Sequence, residues 1–241
     1  MDIKGRTIGQ LAVEEPNAIA IFEKAGIDYC CHGNRPVDVA CKDAGINVSE
    51  LLEALAVSSH DTSTREWSKA SLKELQEFII TTHHVFTRDM LGTVNQLAVK
   101  VADRHGVAHG EVLRVRTLVQ KLVSDLLPHM MKEEQILFPY VEELEATTAV
   151  GDEPPMPFFG TVQNPIRMMV AEHDAAADIL TELRATTENY KLPGDACISF
   201  RALYERLNDL EQDLHRHIHL ENNVLFPRAA EMEEVARGTT V

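Results

Sequence analysis

Two stretches of this sequence align with each other without a gap, and this internal repeat constrains the fold more than any other feature. Residues 125–139 read DLLPHMMKEEQILFP and residues 213–227 read DLHRHIHLENNVLFP, so seven of the fifteen positions are identical. One further histidine precedes each copy at a similar distance, since His84 lies 45 residues before His129 and His173 lies 44 before His217. The repeat indicates that the second half of a domain duplicates the first.

Apolar residues around both copies recur every three or four positions, which predicts long amphipathic helices. Aromatic residues make up only 5% of the chain, a composition that disfavours a β domain. The connection in the middle is rich in proline and glycine, whereas the other two are short. We therefore predict an all-α fold with an up-down-up-down four-helix bundle. The four helices are expected at about residues 69–104, 108–146, 163–189 and 196–236.

The N-terminal part of the chain differs from the rest and is typical of short helices separated by proline and glycine. Gly26 and Gly45 are expected to end two of these helices, because glycine readily adopts the left-handed conformation after a helix. The loop between those helices holds the adjacent thiols of Cys30 and Cys31. The predicted organisation is a small helical domain over residues 1–58, a polar linker over 59–66 and the bundle over 67–241.

The charge and the cysteine content bear on partners and location. The chain has 23 basic and 38 acidic residues, a formal net charge of −15, which disfavours binding to nucleic acid or to an anionic membrane. No segment approaches the roughly 18 consecutive apolar residues of a membrane helix, and no apolar run typical of a signal peptide is present. Four scattered cysteines do not resemble a disulfide framework. We expect a cytoplasmic protein with reduced thiols.

Each copy of the repeat carries a His-x-x-x-Glu pattern, which places two side chains one turn apart on the same helix face. The pairs are His129 with Glu133 and His217 with Glu221. Both fall in register with the apolar stripes of their helices, as does His173. Two buried carboxylates that face each other would repel, so a cation between them is the natural resolution. Imidazoles and carboxylates without a thiolate suit iron or manganese, allow zinc, and fit calcium or magnesium poorly.

Other residues near these pairs admit more than one interpretation. On the first helix, the helical angle places His83 nearer than His84 to the centre of the apolar stripe, and the repeat spacing does not separate the two. Asp125 and Asp213 precede the repeat histidines by four residues, so they are either within reach of those rings or exposed. The remaining histidines of the fourth helix, His215 and His219, flank His217 by two residues and are expected to be exposed.

The motif Asp28-Tyr29-Cys30-Cys31-x-Gly33, followed by His-x-x-x-Glu-(x)4-Phe-Pro twice, resembles the Repair of Iron Centres family. The resemblance covers essentially the whole chain. Members of this family are di-iron proteins with a short cysteine-bearing N-terminal domain joined to a hemerythrin-like four-helix bundle. His32 is a departure, because glycine is common at this position in the family. His32 either strengthens metal binding by Cys30 and Cys31 as a third ligand or is simply a substitution in the loop, and we favour the latter.

The resemblance also implies a metal centre and roles for individual residues. The centre is expected to hold two iron ions, bridged by two glutamates and by an oxo group. The implied ligands are His84, His129, Glu133, His173, His217 and Glu221, with Glu133 and Glu221 as the bridging carboxylates. His84 is selected because the family motif has its ligand four residues before an arginine, here Arg88. Cys30 and Cys31 are expected to act as thiols in transfer or redox chemistry.

The function implied by the resemblance is the repair of iron–sulfur clusters damaged by nitrosative or oxidative stress, by donation of iron. The expected partners are damaged or apo iron–sulfur proteins and the diatomic ligands NO and O2. This function does not imply a conventional enzyme, and the sequence leaves the question of enzyme activity open. Two alternatives stay open, a di-iron NO or O2 reductase and a hemerythrin-like sensor or carrier of O2 or NO. A homodimer is compatible with the sequence, which does not decide the oligomeric state.

Overall fold

A computed structural model describes residues 5–15, 17–58 and 66–238, and within these residues it contains helices and no strand. The prediction of an all-α fold is confirmed. Of the linker predicted over residues 59–66, only Glu66 lies within the described residues. In the described part of the chain, no helix is both long and apolar enough to cross a membrane.

Four long helical runs form the bundle, and three of them contain a short π-helical segment. The first run is α5 (Leu72–Phe78), π1 (Ile79–His84) and α6 (Val85–His105). The second run is α7 (Glu111–Lys132), π2 (Glu133–Leu137) and α8 (Phe138–Val150). The third run is α9 (Gln163–Thr186), and the fourth is α10 (Ile198–Leu220), π3 (Glu221–Leu225) and α11 (Phe226–Ala236). The ends lie within about four residues of those expected from apolar periodicity.

The bundle core consists of two apolar clusters at successive levels along the helices. Within the bundle, α6 packs against α7 and α10, and α7 packs against α9. Along the second run, one cluster extends as far as Met130 and the other begins at Leu137. Along the fourth run, the same change occurs between Leu214 and Leu220. The repeated His-x-x-x-Glu pairs therefore lie in a polar layer between two apolar layers.

The N-terminal helices form a third apolar cluster that rests on the bundle. These helices are α1 (Ile8–Glu14), α2 (Ala18–Ala25), α3 (Val37–Asp43) and α4 (Val48–Ser58). Gly26 ends α2 with a left-handed φ of 69°, as the sequence predicted. The cluster includes Leu11 and Phe22, and it also takes in Ile218, which belongs to α10. The N-terminal core is thus continuous with the outer face of the fourth run.

Polar contacts reinforce this docking. Arg216 of α10 makes two hydrogen bonds of 2.9 Å to the carboxylate of Glu23. The side-chain amide of Asn223 donates to the carbonyl oxygen of Tyr29 at 3.0 Å. Gly9 lies so close to this point that a Cβ would be 2.4 Å from Asn223 Oδ1, so α1 approaches the bundle only because residue 9 has no side chain.

The sequence predicted that His215 and His219 are exposed, but in the structure His215 is half-buried and His219 is buried. His219 is only 3% exposed, and its ring meets the ring of Tyr29 edge-on at a centroid distance of 5.4 Å. His215 is half-buried, at 6.4 Å from the same tyrosine ring. The prediction was wrong for His219 because the N-terminal domain covers the face of α10 that points away from the bundle interior.

Candidate metal centre

Four histidines and two glutamates meet in one buried pocket in the polar layer of the bundle. His84 is the last residue of π1, whereas Glu133 and Glu221 are the first residues of π2 and π3. None of the six is more than 2% exposed. They are the six residues that the family resemblance implies as ligands, namely His84, His129, Glu133, His173, His217 and Glu221.

The histidines form two pairs whose ring nitrogens face each other. His84 Nε2 lies 3.0 Å from His217 Nε2, and His129 Nε2 lies 2.9 Å from His173 Nε2. Two nitrogen ligands about 2.1 Å from one ion, at right angles to each other, are about 3.0 Å apart. Each pair therefore has the spacing of two neighbouring ligands on one octahedral ion.

Both glutamates turn one carboxylate oxygen toward each histidine pair. Glu133 Oε2 lies 3.5 Å from His84 Nε2, and Glu133 Oε1 lies 3.3 Å from His129 Nε2. Glu221 does the same for the other member of each pair, with oxygen–nitrogen separations of 3.0 and 3.2 Å. Each carboxylate is therefore within reach of a cation at either histidine pair.

Hydrogen bonds at Nδ1 fix the tautomers of two of the rings. His84 Nδ1 donates to Glu134 Oε1 at 2.6 Å, and His129 Nδ1 donates to Glu172 Oε2 at 2.8 Å. Because an ionised carboxylate can only accept, each Nδ1 carries a proton, and Nε2 is the ring atom that faces the pocket. A basic side chain accompanies each acceptor, Arg88 for Glu134 and Lys132 for Glu172.

The ring of His173 is held in the same way by an amide. His173 Nδ1 donates to Asn222 Oδ1 at 2.9 Å, and the Asn222 amide nitrogen donates to the carbonyl oxygen of Cys30 at 3.2 Å. The second bond determines which end of the amide faces the ring. His129 Nε2 and His173 Nε2 face each other at 2.9 Å, a separation that a shared proton or a metal ion between the two rings would hold.

The charges in the pocket also fit a site for cations. Both oxygens of Glu133 and Oε2 of Glu221 are buried without a hydrogen-bond partner of suitable geometry. Burial by itself would lower the pKa of His84, but the carboxylates of Glu133 and Glu221 raise it to about 10. Burial raises the pKa of Glu221, but the neighbouring histidines hold it well below its usual range. The pocket thus keeps its carboxylates ionised, and its orphaned oxygens fit a metal centre.

Comparison with known families matches most of the chain. Residues 76–229 match the family described as the hemerythrin HHE cation binding domain. Residues 4–58 match a domain of unknown function, DUF542. The first match contains all six residues of the buried pocket, and the second contains the loop with Cys30 and Cys31.

Curated relatives match over nearly their full length. A probable iron-sulfur cluster repair protein of Haemophilus influenzae is 35% identical over 231 residues, which cover 95% of this chain and 98% of the relative. The iron-sulfur cluster repair protein YtfE of Enterobacter sp. (strain 638) is 35% identical over 233 residues, with the same shares covered. The chain belongs to the Repair of Iron Centres family. Its hemerythrin-like domain is an iron-binding domain, with histidine and glutamate clusters that could hold metal.

In this Repair of Iron Centres protein, the residues that the sequence left ambiguous take distinct places. His83 is buried, but its Nδ1 lies 2.9 Å from Asp213 Oδ1, and its ring stacks on that of His217 at 5.6 Å. Asp213 therefore partners His83, and among the residues that the structure describes none is a hydrogen-bond partner of His217 Nδ1. Asp125 bonds to Lys121 at 2.7 Å on the surface of α7.

The cysteine loop lies against the same pocket. Cys30 and Cys31 are free thiols with their sulfurs 3.5 Å apart, and Cys31 Sγ is 3.9 Å from the carbonyl oxygen of His173. The hydrogen bond from Asn222 to Cys30 joins this loop to a ring of the pocket. The thiols of the family motif are therefore placed beside the bundle centre.

Sequence reasoning did not identify the residues that hold the rings, although the repeat contained a signal for them. Glu134 and Asn222 occupy the same position of the two copies, one residue after Glu133 and Glu221. Each accepts the Nδ1 proton of the histidine that comes from the preceding helical run. Alignment of the repeat therefore predicts the second of these contacts once the first is known.

Proposed function

We propose that this chain restores damaged iron–sulfur clusters by donating iron that it holds in the buried pocket. The observation that carries the proposal is the pair of glutamates that each face both histidine pairs, which provides a site for two cations. The names of the curated relatives, iron-sulfur cluster repair proteins, support the same function. The clients are then iron–sulfur proteins whose clusters are damaged or absent.

The inferred ligand set divides between two iron ions. His84 and His217 would hold one ion, His129 and His173 would hold the other, and Glu133 and Glu221 would each offer one carboxylate oxygen to both. Four protein ligands for each ion do not fill an octahedral coordination sphere, so positions stay open for an oxo bridge, NO or O2. Open coordination positions and carboxylate ligands suit an iron ion that the protein must release again. A charge of only two on ferrous iron weakens its attraction to the carboxylates, so release is favoured after reduction.

The residues around the pocket prepare the centre for loading and unloading. Glu134, Glu172 and Asn222 hold three of the rings by Nδ1, so that Nε2 of each of these rings faces the pocket. Cys30 and Cys31 lie beside His173, where they would act as transfer or redox thiols during exit. Such thiols need a reducing compartment, so we place the protein in the cytoplasm.

Donation is tested by measuring where the iron goes. The iron-loaded protein is incubated with an apo iron–sulfur protein, and the iron content of both proteins is measured after separation. Donation predicts that this chain loses the iron that the client gains. Restoration of the client while the chain keeps its full iron content would show that the proposed donation is wrong.

The bridging assignment is tested by Glu133→Leu. Removal of this carboxylate takes one ligand from each ion and leaves a buried apolar side chain, so we expect most of the bound iron and the ability to restore a client to be lost. Glu143→Leu, a change of the same residue type on the exposed side of α8, is the control and should keep both. An unchanged iron content in Glu133→Leu would contradict the bridging role.

A further inference from the structure

A second group of metal-ligating side chains lies outside the bundle centre, in the cysteine loop of the N-terminal domain. The ligand atoms of Asp28, Cys30 and Cys31 all lie within 4.8 Å of one another. The two sulfurs are 3.5 Å apart, and Asp28 Oδ1 is 3.3 Å from Cys30 Sγ. Two thiols and a carboxylate are a different donor set from the imidazoles and carboxylates of the bundle.

The loop holds the Asp28 carboxylate in place before any ion arrives. Asp28 Oδ1 accepts hydrogen bonds from the backbone N–H groups of Cys30, at 3.1 Å, and Cys31, at 3.0 Å. The other oxygen, Oδ2, lies 2.5 Å from His32 Nδ1. His32 is therefore a positioning residue for the carboxylate and not an idle substitution in the loop.

A cavity gives small ions access to these side chains. It has a volume of about 580 Å³ and lies between the cysteine loop and the helices α9 and α10, with Asp28, Cys30 and Cys31 in its lining. Cys30 belongs to this lining although it is only 3% exposed. Leu180 and Gln212 form part of the opposite wall.

The spacing of the three donors suits one tetrahedral ion. Thiolates about 2.3 Å and a carboxylate oxygen about 2.1 Å from a tetrahedral ion place the sulfurs about 3.8 Å apart, and sulfur about 3.6 Å from oxygen. The observed separations of 3.5 and 3.3 Å are a few tenths of an ångström shorter, as expected for thiols that hydrogen-bond to each other. A fourth position would face the cavity.

We propose that Asp28, Cys30 and Cys31 bind one thiophilic divalent metal ion at a site separate from the bundle centre, with His32 positioning the carboxylate. The two S–H bonds are replaced by two sulfur–metal bonds, so two protons are released for each ion and no electron is transferred. In the cell the ion is Fe²⁺, an identity that rests on the proposed function. The 3.9 Å between Cys31 Sγ and the His173 carbonyl puts such an ion beside the bundle centre.

The experiment is a Co²⁺ titration of the iron-loaded full chain under anaerobic conditions, with its thiols reduced and counted. We expect one additional Co²⁺ per chain, a thiolate-to-cobalt absorption band in the near ultraviolet, and release of two protons per ion. The double variant Cys30→Ser, Cys31→Ser should lose the band. Cys197→Ser, which removes a half-buried thiol of the bundle, is the matched control and should keep it.

Two further variants test the carboxylate without removing a thiol. His32→Ala should weaken Co²⁺ binding by about tenfold, the usual cost of losing a partner that orients a ligand. Asp28→Asn still accepts the two backbone hydrogen bonds, so the loop keeps its fold, which far-ultraviolet circular dichroism checks. It should weaken binding further because it removes the charged ligand.

Absence of a thiolate band in the wild-type chain, with all thiols reduced, would overturn the proposal. A band that survives in the double cysteine variant would overturn it too, since the band would then come from another thiol. Iron donation is measured separately by the client assay. A chain that donates iron but binds no Co²⁺ contradicts only this site, whereas one that binds Co²⁺ but donates no iron contradicts only the proposed function.

Discussion

At the scale of single residues, Asn222 has two roles that its counterpart in the first half of the bundle does not combine. Its carbonyl accepts from His173 Nδ1, and its amide nitrogen donates to the carbonyl oxygen of Cys30. Glu134, at the matching position of the repeat, only accepts, from His84. A carboxylate cannot donate a hydrogen bond, so an amide at position 222 is what allows the second half to bind the cysteine loop as well as the ring.

Asn222→Asp should loosen the cysteine loop without emptying the pocket. Aspartate still accepts from His173, but it loses the bond to Cys30, which is worth about 1 kcal/mol. We therefore expect Cys30 to be alkylated about fivefold faster, measured by mass spectrometry of the cysteine-containing peptide, with an unchanged iron content. Glu134→Gln is the control, because it makes the reverse change in the other half and should leave alkylation of Cys30 unaltered.

The sequence supported much of the site at this scale. The repeat and the helix periodicity identified His129, Glu133, His217 and Glu221 as interior residues, and the structure brings them together. The partners of the rings escaped notice because Glu134, Glu172 and Asn222 come from helical runs other than those of the rings they hold. Contacts of this kind depend on how helices pack and not on spacing along one helix.

At the scale of helical elements, the π segments decide which side chains enter the pocket. Up to the first residue of π1, the buried residues Leu75 and Ile79 follow a helical spacing that continues to His83. Downstream, Leu91 and Thr87 continue back at the same spacing to His84. The wider turn of π1 absorbs the extra residue between these two registers, as π segments in helices commonly do near functional sites.

This change of register explains why periodicity alone favoured His83. A count at 3.6 residues per turn from the start of the helix assumes that the whole helix keeps one register. The residue types of a π segment do not distinguish it from an α-helix, so the count does not detect the change of register. The structure turns His83 toward Asp213 and His84 toward the pocket. The helices themselves could be predicted from apolar spacing, but their three π segments could not.

The two neighbouring histidines should therefore respond differently to the same substitution. We expect His84→Gln to lose at least half of the bound iron, because it removes a ring nitrogen from one ion. His83→Gln should keep its iron content, since it removes only the contact with Asp213 and the stacking on His217. Metal analysis of the two purified variants checks this pair. A larger loss from His83→Gln than from His84→Gln would contradict the assignment.

At the scale of the whole molecule, the charge of the pocket couples metal content to stability. Two ionised carboxylates face each other in the middle of the bundle at 0% exposure, and cations relieve their repulsion. Ligands that bind only the folded state stabilise it, by about 2.7 kcal/mol at a hundred times the dissociation constant. We expect removal of iron with a chelator to lower the melting temperature by about 5–10 °C, measured by circular dichroism.

Glu133→Leu provides the control for this measurement. The variant lacks one of the two carboxylates and binds little iron under the proposed assignment, so the chelator should leave its melting temperature unchanged. An equal shift in the variant and in the wild-type chain would mean that the chelator acts elsewhere, and equal melting of loaded and unloaded wild-type chain would contradict the coupling.

The pattern of residues along the chain predicted the two domains but not how they pack against each other. The bundle and the N-terminal helices followed from apolar spacing and from glycine and proline positions, and the boundaries at residues 58 and 67 stay a prediction. The burial of α10 by the N-terminal domain could not be predicted from the sequence. An apolar or aromatic residue indicates that its position is buried, but it does not indicate which part of the molecule covers it. The N-terminal domain covers both Ile218 and His219. Ile218 belongs to the apolar cluster of that domain, and the ring of His219 packs against the ring of Tyr29.

The one ring without an Nδ1 partner makes the two halves of the centre unequal. Among the described residues, His217 lacks the hydrogen-bond acceptor at Nδ1 that each of the other three rings has. An imidazole whose Nδ1 proton is held by an acceptor is the better metal ligand. Under the proposed assignment, His84 and His217 would release their ion more readily than His129 and His173 would release theirs. A partly unloaded chain would then hold one magnetically isolated ion, which electron paramagnetic resonance distinguishes from a coupled pair.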